Sequence, residues 1–336
     1  MDKYRIDSHK LMFHPERVAA WRCGENIAPI YMEVSPSGVC NHRCTFCALD
    51  FTGYKGGYID KTALIMFLMD AAGHGLESVM FAGEGEPFLH PSFAAIVQNT
   101  ARVLDVSITT NGVLFTEPES IVPYCKWIKV SINSGNAQSY AKIHRCKEFD
   151  FRFVVQNLRR AVEYRNMSGS KCTIGAQAVL LPENKKHILQ LAQLSRDIGL
   201  DYLIVKAYSQ HPLSKHKKTV SVIPKPKGFD EYNTSAFKAI WREDSISDKE
   251  RGYKECYALP FWSYLDTSGT LWSCSNYLGI DGYSYGNIYK NSFSDIWHGR
   301  KQPEIDLEKC RYNCRMNMAN EYLWELKHPQ EHVNFI

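Results

Sequence analysis

The chain has 336 residues, 44% of them hydrophobic, and a formal net charge of +4. Such a length supplies a sizeable core and about two domains. So small a charge gives no reason to expect nucleic acid, and no apolar run reaches the roughly 18 residues that span a bilayer. The 11 cysteines, an odd count, follow a polar start, Met1-Asp2-Lys3-Tyr4-Arg5, with no apolar leader. A soluble cytoplasmic protein with reduced thiols is the expectation.

In chain order, residues 1–29 form an N-terminal extension. From 30 to 209, short β-rich runs alternate with longer helical patterns, which predicts repeated βα units and a parallel sheet, an α/β fold. Six strands are expected at 30–35, 78–82, 106–110, 127–132, 173–180 and 202–208. Helices are expected around 61–72, 91–102, 117–124, 151–164 and 185–198, as in the apolar spacing of Ile188, Leu191, Leu194 and Ile198. Residues 30–213 thus read as one domain. Residues 214–230 read as a linker carrying Lys215, His216, Lys217, Lys218, Pro224, Lys225 and Pro226. Such a run is a solvated connection or an attractor of an anionic substrate or partner. Residues 231–336 read as a second, smaller domain of short strands and turns such as Asp266-Thr267-Ser268-Gly269.

Immediately after the first strand stands Cys40-Asn-His-Arg-Cys44-Thr-Phe-Cys47. A four-iron cluster normally takes four thiolates, so three leave one iron open to a small molecule. Zinc held by these cysteines and His42 is the competing reading, although zinc ligands usually come as two close couples with a longer gap. The CxxxCxxC spacing, with Phe46 before the last cysteine, resembles the radical S-adenosylmethionine (SAM) superfamily. That resemblance implies a partial (β/α)6 TIM-like barrel, a [4Fe-4S] cluster whose open iron takes SAM, and an external reductant of the flavodoxin or ferredoxin type.

In parallel α/β architectures, function gathers at the carboxyl ends of the strands. Gly83-Glu84-Gly85-Glu86-Pro87 follows the second strand, where Gly83 and Gly85 allow close backbone approach to a ligand. The segment resembles the family's Gly-Gly-Glu-Pro, which places Glu86, or in second place Glu84, against the cationic amino group of SAM. Asn111 follows the third strand in Thr109-Thr110-Asn111-Gly112. Similarity further places Ser131 and Asn133 near the ribose, Phe46 over the adenine, and Gln177, Lys206, Tyr208 and Gln210 toward SAM or substrate. Each loop alone also reads as an ordinary βα turn.

Cys256, Cys274, Cys310 and Cys314 form a second set, enough to complete a cluster's shell or a structural zinc site. With Gly269 before Cys274, the arrangement resembles the Twitch domain, the shortened relative of the SPASM domain, which implies one auxiliary [4Fe-4S] cluster. Cys23, Cys125, Cys146 and Cys172 read as buried small hydrophobes. Cys146 is the candidate hydrogen-atom donor to a substrate radical, as in epimerases of the superfamily. His42, His90, His144 and His211 read as loop or capping residues, with His211 placed to face a substrate.

The resemblance implies hydrogen abstraction from a substrate carbon by a 5′-deoxyadenosyl radical. Dehydrogenation or epimerisation of a sugar or aminocyclitol alcohol is the first expectation, and maturation or epimerisation of a ribosomal peptide the alternative. A reading of another class is a non-catalytic iron–sulfur electron carrier or zinc-binding adaptor.

Overall fold

The computed structural model describes residues 4, 9–216, 223–242, 251–311 and 314–335. Residues 1–3, 5, Lys217 and Lys218 lie outside this set. The helices are α1 (Pro15–Arg22), α2 (Lys61–Gly73), α3 (Phe93–Thr100), α4 (Ala137–His144), α5 (Glu148–Ser168), α6 (Ile188–Ile198), α7 (Phe293–Gly299) and α8 (Asn317–Lys327). The first six strands follow the expected order: β1 (Tyr31–Val34), β2 (Ser78–Phe81), β3 (Asp105–Thr110), β4 (Trp127–Ser131), β5 (Thr173–Leu180) and β6 (Tyr202–Ala207). Each runs parallel to the next.

The period of two along these strands separates a core face from a cavity face. Ile128 and Val130 of β4, Ile174 and Ala176 of β5, and Leu203 and Val205 of β6 are buried against the helices. They meet Leu64 and Leu68 of α2, Val154 and Leu158 of α5, and Ile188 and Leu191 of α6 in one cluster. Burying each such large apolar side chain contributes about 1.5–3 kcal/mol. The intervening Lys129, Ser131, Gln177 and Lys206 line the opposite, concave side.

The sheet is wider than six strands. β7 (Lys238–Trp241) adds in parallel beside β6, and β8 (Trp262–Leu265) adds in parallel beside β1. β9 (Thr270–Trp272) and β10 (Ser284–Asn287) continue it antiparallel, giving the order β10-β9-β8-β1-β2-β3-β4-β5-β6-β7 among the described residues. Residues from the expected second domain therefore extend both edges of the barrel sheet. The N-terminal segment packs there too: Leu11, Val18, Trp21 and Ile27 share a core with Ala258, Phe261, Ala319 and Leu323.

One expected helix differs and one helix is additional. The 117–124 segment is two 3-10 turns, Pro118–Ser120 and Val122–Tyr124, each with a proline in its first positions, where the ring lacks the N–H that a continuing helix would use. Between β4 and α5 lies α4, not anticipated, whose cap Asn136 accepts from the Ser139 N–H at 3.0 Å. Its final residue, His144, reaches the cysteine loop.

Candidate active site

The loop between β1 and α2 carries Cys40, Cys44 and Cys47 to the carboxyl ends of the strands, where all three line a cavity of about 580 Å³. Several anchors hold the loop. The backbone N–H groups of Arg43 and Thr45 donate to the carbonyls of His144 (3.1 Å) and Ile143 (2.9 Å), and Asn111 Nδ2 donates to Asn41 Oδ1 at 2.7 Å. From the neighbouring loop the Glu86 N–H donates to the Val39 carbonyl at 2.9 Å.

That last contact explains a glycine. A Cβ on Gly85 would stand 2.1 Å from the Val39 oxygen, and one on Gly83 (φ +110°) 2.5 Å from the Ser35 Cβ. Both glycines line the cavity, yet the space their missing side chains vacate is filled by protein. The missing side chains therefore serve close approach of β2's loop to β1 and the cysteine loop, while both backbones still face the cavity.

Glu86 is 2% exposed and lines the cavity. Its carboxylate accepts from Thr110 Oγ1 (2.6 Å), the Asn111 N–H (2.8 Å) and the Phe88 N–H (3.2 Å). Burial, outweighing those donors, pushes its pKa up to about 7. Among the described residues no cation lies in salt-bridge range of it, so a cationic ligand group would relieve the desolvation of its ionised form. Glu84 points elsewhere, toward Thr267.

Ser131, Gln177, Phe46, Asn111, Lys206 and Tyr208 line the cavity as expected. Asn133, Gln210 and Cys146 do not. Asn133 sits in the left-handed region (φ 42°) and is 1% exposed. Its Oδ1 accepts from the Val179 N–H (2.6 Å) and its Nδ2 lies 3.2 Å from His144 Nε2. It braces β4 against β5 and α4 and has no amide group left for a ribose. Gln210 is engaged by the Tyr208 hydroxyl at 2.9 Å. The Cys146 thiol interacts with Asp150 and the Lys147 carbonyl (3.6 Å) behind the cysteine loop. His42 and His144 are buried rather than loop-exposed, with His144 Nδ1 3.2 Å from Cys44 Sγ and His42 Nε2 3.3 Å from Asp150. His211 does not line the cavity; it stacks on Phe51 at 5.0 Å.

The second thiol set converges on the same cavity, where Cys274 and Cys314 form part of the wall. Each of the four sulfurs receives an N–H: Cys274 from the Asn276 backbone (3.5 Å), Cys310 from Asn276 Nδ2 (3.6 Å), Cys314 from the Met316 backbone (3.4 Å) and Cys256 from Asn320 Nδ2 (3.7 Å). N–H donors to sulfur stabilise thiolate ligands and tune a cluster. Burial, with neighbouring thiols adding to it, pushes Cys256 up to about 12 and Cys274 well above its usual value. In the first set burial likewise pushes Cys40 up to about 11 and Cys44 well above its usual value, the other loop thiols contributing. Buried thiols that raise one another in this way become thiolates at a cost that a bound metal cluster removes. Both donor sets therefore suit iron–sulfur clusters.

Several cavity residues were not anticipated: Glu33, Lys129, Arg242, Arg251, Arg311 and Arg315. Arg315 forms an ion pair with Glu33 and lies 4.8 Å over the Trp262 ring. Lys129 was legible in principle, since Trp127-Ile128-Lys129-Val130-Ser131 puts a lysine on the same face as Ser131. The arginines were not, because they stand in irregular segments outside the strands and helices, where no periodic signal gives a side chain's direction.

A model of the radical SAM superfamily matches residues 34–195, and one of an iron–sulfur cluster-binding SPASM domain matches 256–316. A tungsten-containing aldehyde ferredoxin oxidoreductase cofactor-modifying protein of Pyrococcus furiosus is 27% identical over 52% of this chain and 50% of its own length. A probable GTP 3′,8-cyclase of Methanocaldococcus jannaschii is 24% identical over 75% of this chain and 82% of its own. The matched part thus spans half of the first of these relatives. Among solved structures, Streptococcus suis SuiB bound to S-adenosylmethionine superposes with a TM-score of 0.64 at 18% identity, over 87% of this chain and 71% of that one. No described helix is long and apolar enough to cross a membrane. The chain therefore carries a radical SAM superfamily domain over 34–195, which implies a [4Fe-4S] cluster and SAM, followed by a SPASM domain over 256–316, which implies auxiliary iron–sulfur.

Proposed function

We propose that Cys40, Cys44 and Cys47 hold the cluster that takes SAM, that Cys256, Cys274, Cys310 and Cys314 hold one auxiliary cluster, and that the enzyme dehydrogenates a small polar alcohol of the sugar or aminocyclitol type. When bound, the first cluster and SAM supply a 5′-deoxyadenosyl radical that takes a hydrogen atom from a substrate carbon, and the auxiliary cluster supplies an acceptor for one further electron. The observation that carries this reading is that thiols of both sets open on one cavity, of about 580 Å³, a size that suits a small ligand.

The chain's own residues bind, orient and exclude water. Glu86, fixed by Thr110, Asn111 and Phe88, offers its carboxylate to the amino group of SAM. Ser131 and Gln177 face the ribose from neighbouring strands, and Phe46, packed beside Ile143, Val179 and Leu181, supports the adenine. Oxidation of an alcohol to a carbonyl removes the C–H hydrogen atom, one further electron and the O–H proton, which leaves to solvent. Epimerisation instead needs a hydrogen donor in the cavity, and the position of Cys146 behind the cysteine loop supports dehydrogenation. A flavodoxin- or ferredoxin-type protein is the reductant.

The test is anaerobic incubation of reconstituted protein with reductant, SAM and a panel of deuterium-labelled alcohols, followed by mass spectrometry. Deoxyadenosine carrying substrate deuterium, with a product two hydrogens lighter, is expected. A product only one mass unit lighter, its label replaced by solvent hydrogen at an inverted carbon, would make the enzyme an epimerase. Absence of deoxyadenosine would end the SAM reading.

A further inference from the structure

Much of the cavity wall is cationic. Lys129, Lys206, Arg242, Arg251, Arg311 and Arg315 line the cavity together with three carboxylates, Glu33, Glu86 and Glu321. Glu33 is taken by Arg315, and Glu86 is fixed at the cysteine end by uncharged donors.

Lys129 and Lys206 come from the inward faces of β4 and β6, with Gln177 of β5 between them. No carboxylate of the described residues lies within salt-bridge distance of either ammonium. Their burial is costly: it pushes Lys129 down to about 8, with Arg315 adding to the effect, and Lys206 well below its usual value, with Lys129 and Arg311 adding to it. Two inward-facing lysines near like charges are held at a free-energy cost unless an anion joins them.

We infer that the substrate carries an oxyanion, phosphoryl or carboxylate, that seats between Lys129 and Lys206 on the β4–β6 wall. This rests on the reading of the cavity as the substrate site and narrows the substrate class: an alcohol bearing an anionic group, oriented by that group so that its reacting carbon faces the cysteine loop. Gln177, between the lysines, is placed to donate to the same oxyanion or to the ribose. An oxyanion seated on two ammonium groups draws both toward their charged forms, so binding takes up protons wherever either lysine is part-neutral, for Lys129 around pH 8.

The test is equilibrium dialysis of the reconstituted protein, anaerobic and unreduced, against labelled pyrophosphate and, separately, labelled malonate, each with and without saturating SAM. Neither turnover nor SAM cleavage enters this readout, so failure of the radical reading and failure of the oxyanion site are seen separately. Saturable binding of one equivalent of either anion is expected, and which one binds tells phosphoryl from carboxylate. Lys129→Met and Lys206→Met should each weaken it by about tenfold or more, the loss of one charge-assisted contact, while Lys206→Arg retains it within about threefold. Because methionine replaces a buried charge with an apolar chain of similar length, both variants should fold and melt no lower than the parent. The inference is overturned if neither anion binds saturably below about 10 mM. It is equally overturned if the methionine variants lose SAM affinity but not anion affinity, which would give the lysines to the SAM carboxylate.

Discussion

Glu84 and Thr267, 183 positions apart, are joined by two hydrogen bonds, the Glu84 carboxylate accepting from the Thr267 N–H at 2.9 Å and from its hydroxyl at 3.1 Å. One member follows β2 of the barrel and the other starts the turn between β8 and β9. The carboxylate that seemed a second choice for SAM is thus a clasp between the barrel and the cluster-bearing C-terminal region.

Glu84→Gln weakens the clasp without touching the cavity. A charged acceptor facing two donors contributes on the order of 1–3 kcal/mol, toward the lower end for a partly exposed group. Anaerobic thermal melts should show the loss, with SAM affinity unchanged within about twofold by equilibrium dialysis. A tenfold fall in SAM affinity with an unchanged melt would return Glu84 to the binding site.

The pKa of Glu86, pushed up to about 7 by burial, sets a pH dependence whose sign is fixed. A carboxyl raised in the folded state favours folding only while protonated, so SAM-free stability falls as pH rises from the ordinary carboxylate range to about 7, by on the order of 3 kcal/mol. Binding a cationic ligand prefers the ionised form, so SAM affinity should rise by about fivefold between pH 6 and 7, by about twofold more to pH 8, and level off above. In Glu86→Gln the profile should be flat and the plateau affinity lower. A wild-type profile that falls with pH would contradict the assignment.

The barrel was legible because its strands alternate. Ile128 and Val130 against Lys129 and Ser131 give both the strand and its faces, and β5 falls at 173–180 as read. The cysteines, Glu86, Ser131 and Gln177 were legible because each stands at or near a strand's carboxyl end. Asn133 was misplaced because sequence gives its position one step past β4 but not its left-handed backbone, which turns the amide toward Val179 and His144. β7 and β8 were missed because four residues, Lys-Ala-Ile-Trp or Trp-Ser-Tyr-Leu, carry too little periodicity to declare a partner. Parallel pairing with β6 and β1 is a tertiary fact, and it brings Arg242, just past β7, to β6, where its N–H donates to the Val205 carbonyl at 3.0 Å.

Gly85→Ala should act on the first cluster through the backbone. The added methyl would meet the Val39 carbonyl oxygen at 2.1 Å, and no rotamer relieves a Cβ, so the loop must move away from Cys40. We expect first-site iron to fall by at least half while the auxiliary site keeps its iron, measured by metal analysis and low-temperature EPR. Retention of full iron content with normal SAM cleavage would mean that the two loops do not need this close contact.

The two thiol sets make a crossed prediction. Replacing Cys40, Cys44 and Cys47 with Ala should remove about four irons per chain and all deoxyadenosine formation, leaving the auxiliary cluster's EPR signal, because the other four thiols keep their own N–H donors and packing. Replacing Cys274 and Cys314 instead should remove the other four irons. It should leave slow SAM cleavage in place while stopping formation of the product two hydrogens lighter, since the acceptor for the further electron is gone. Two results would contradict this scheme. Deoxyadenosine from the triple variant would place SAM cleavage elsewhere, and full product formation by the double variant would remove the auxiliary site from the oxidation.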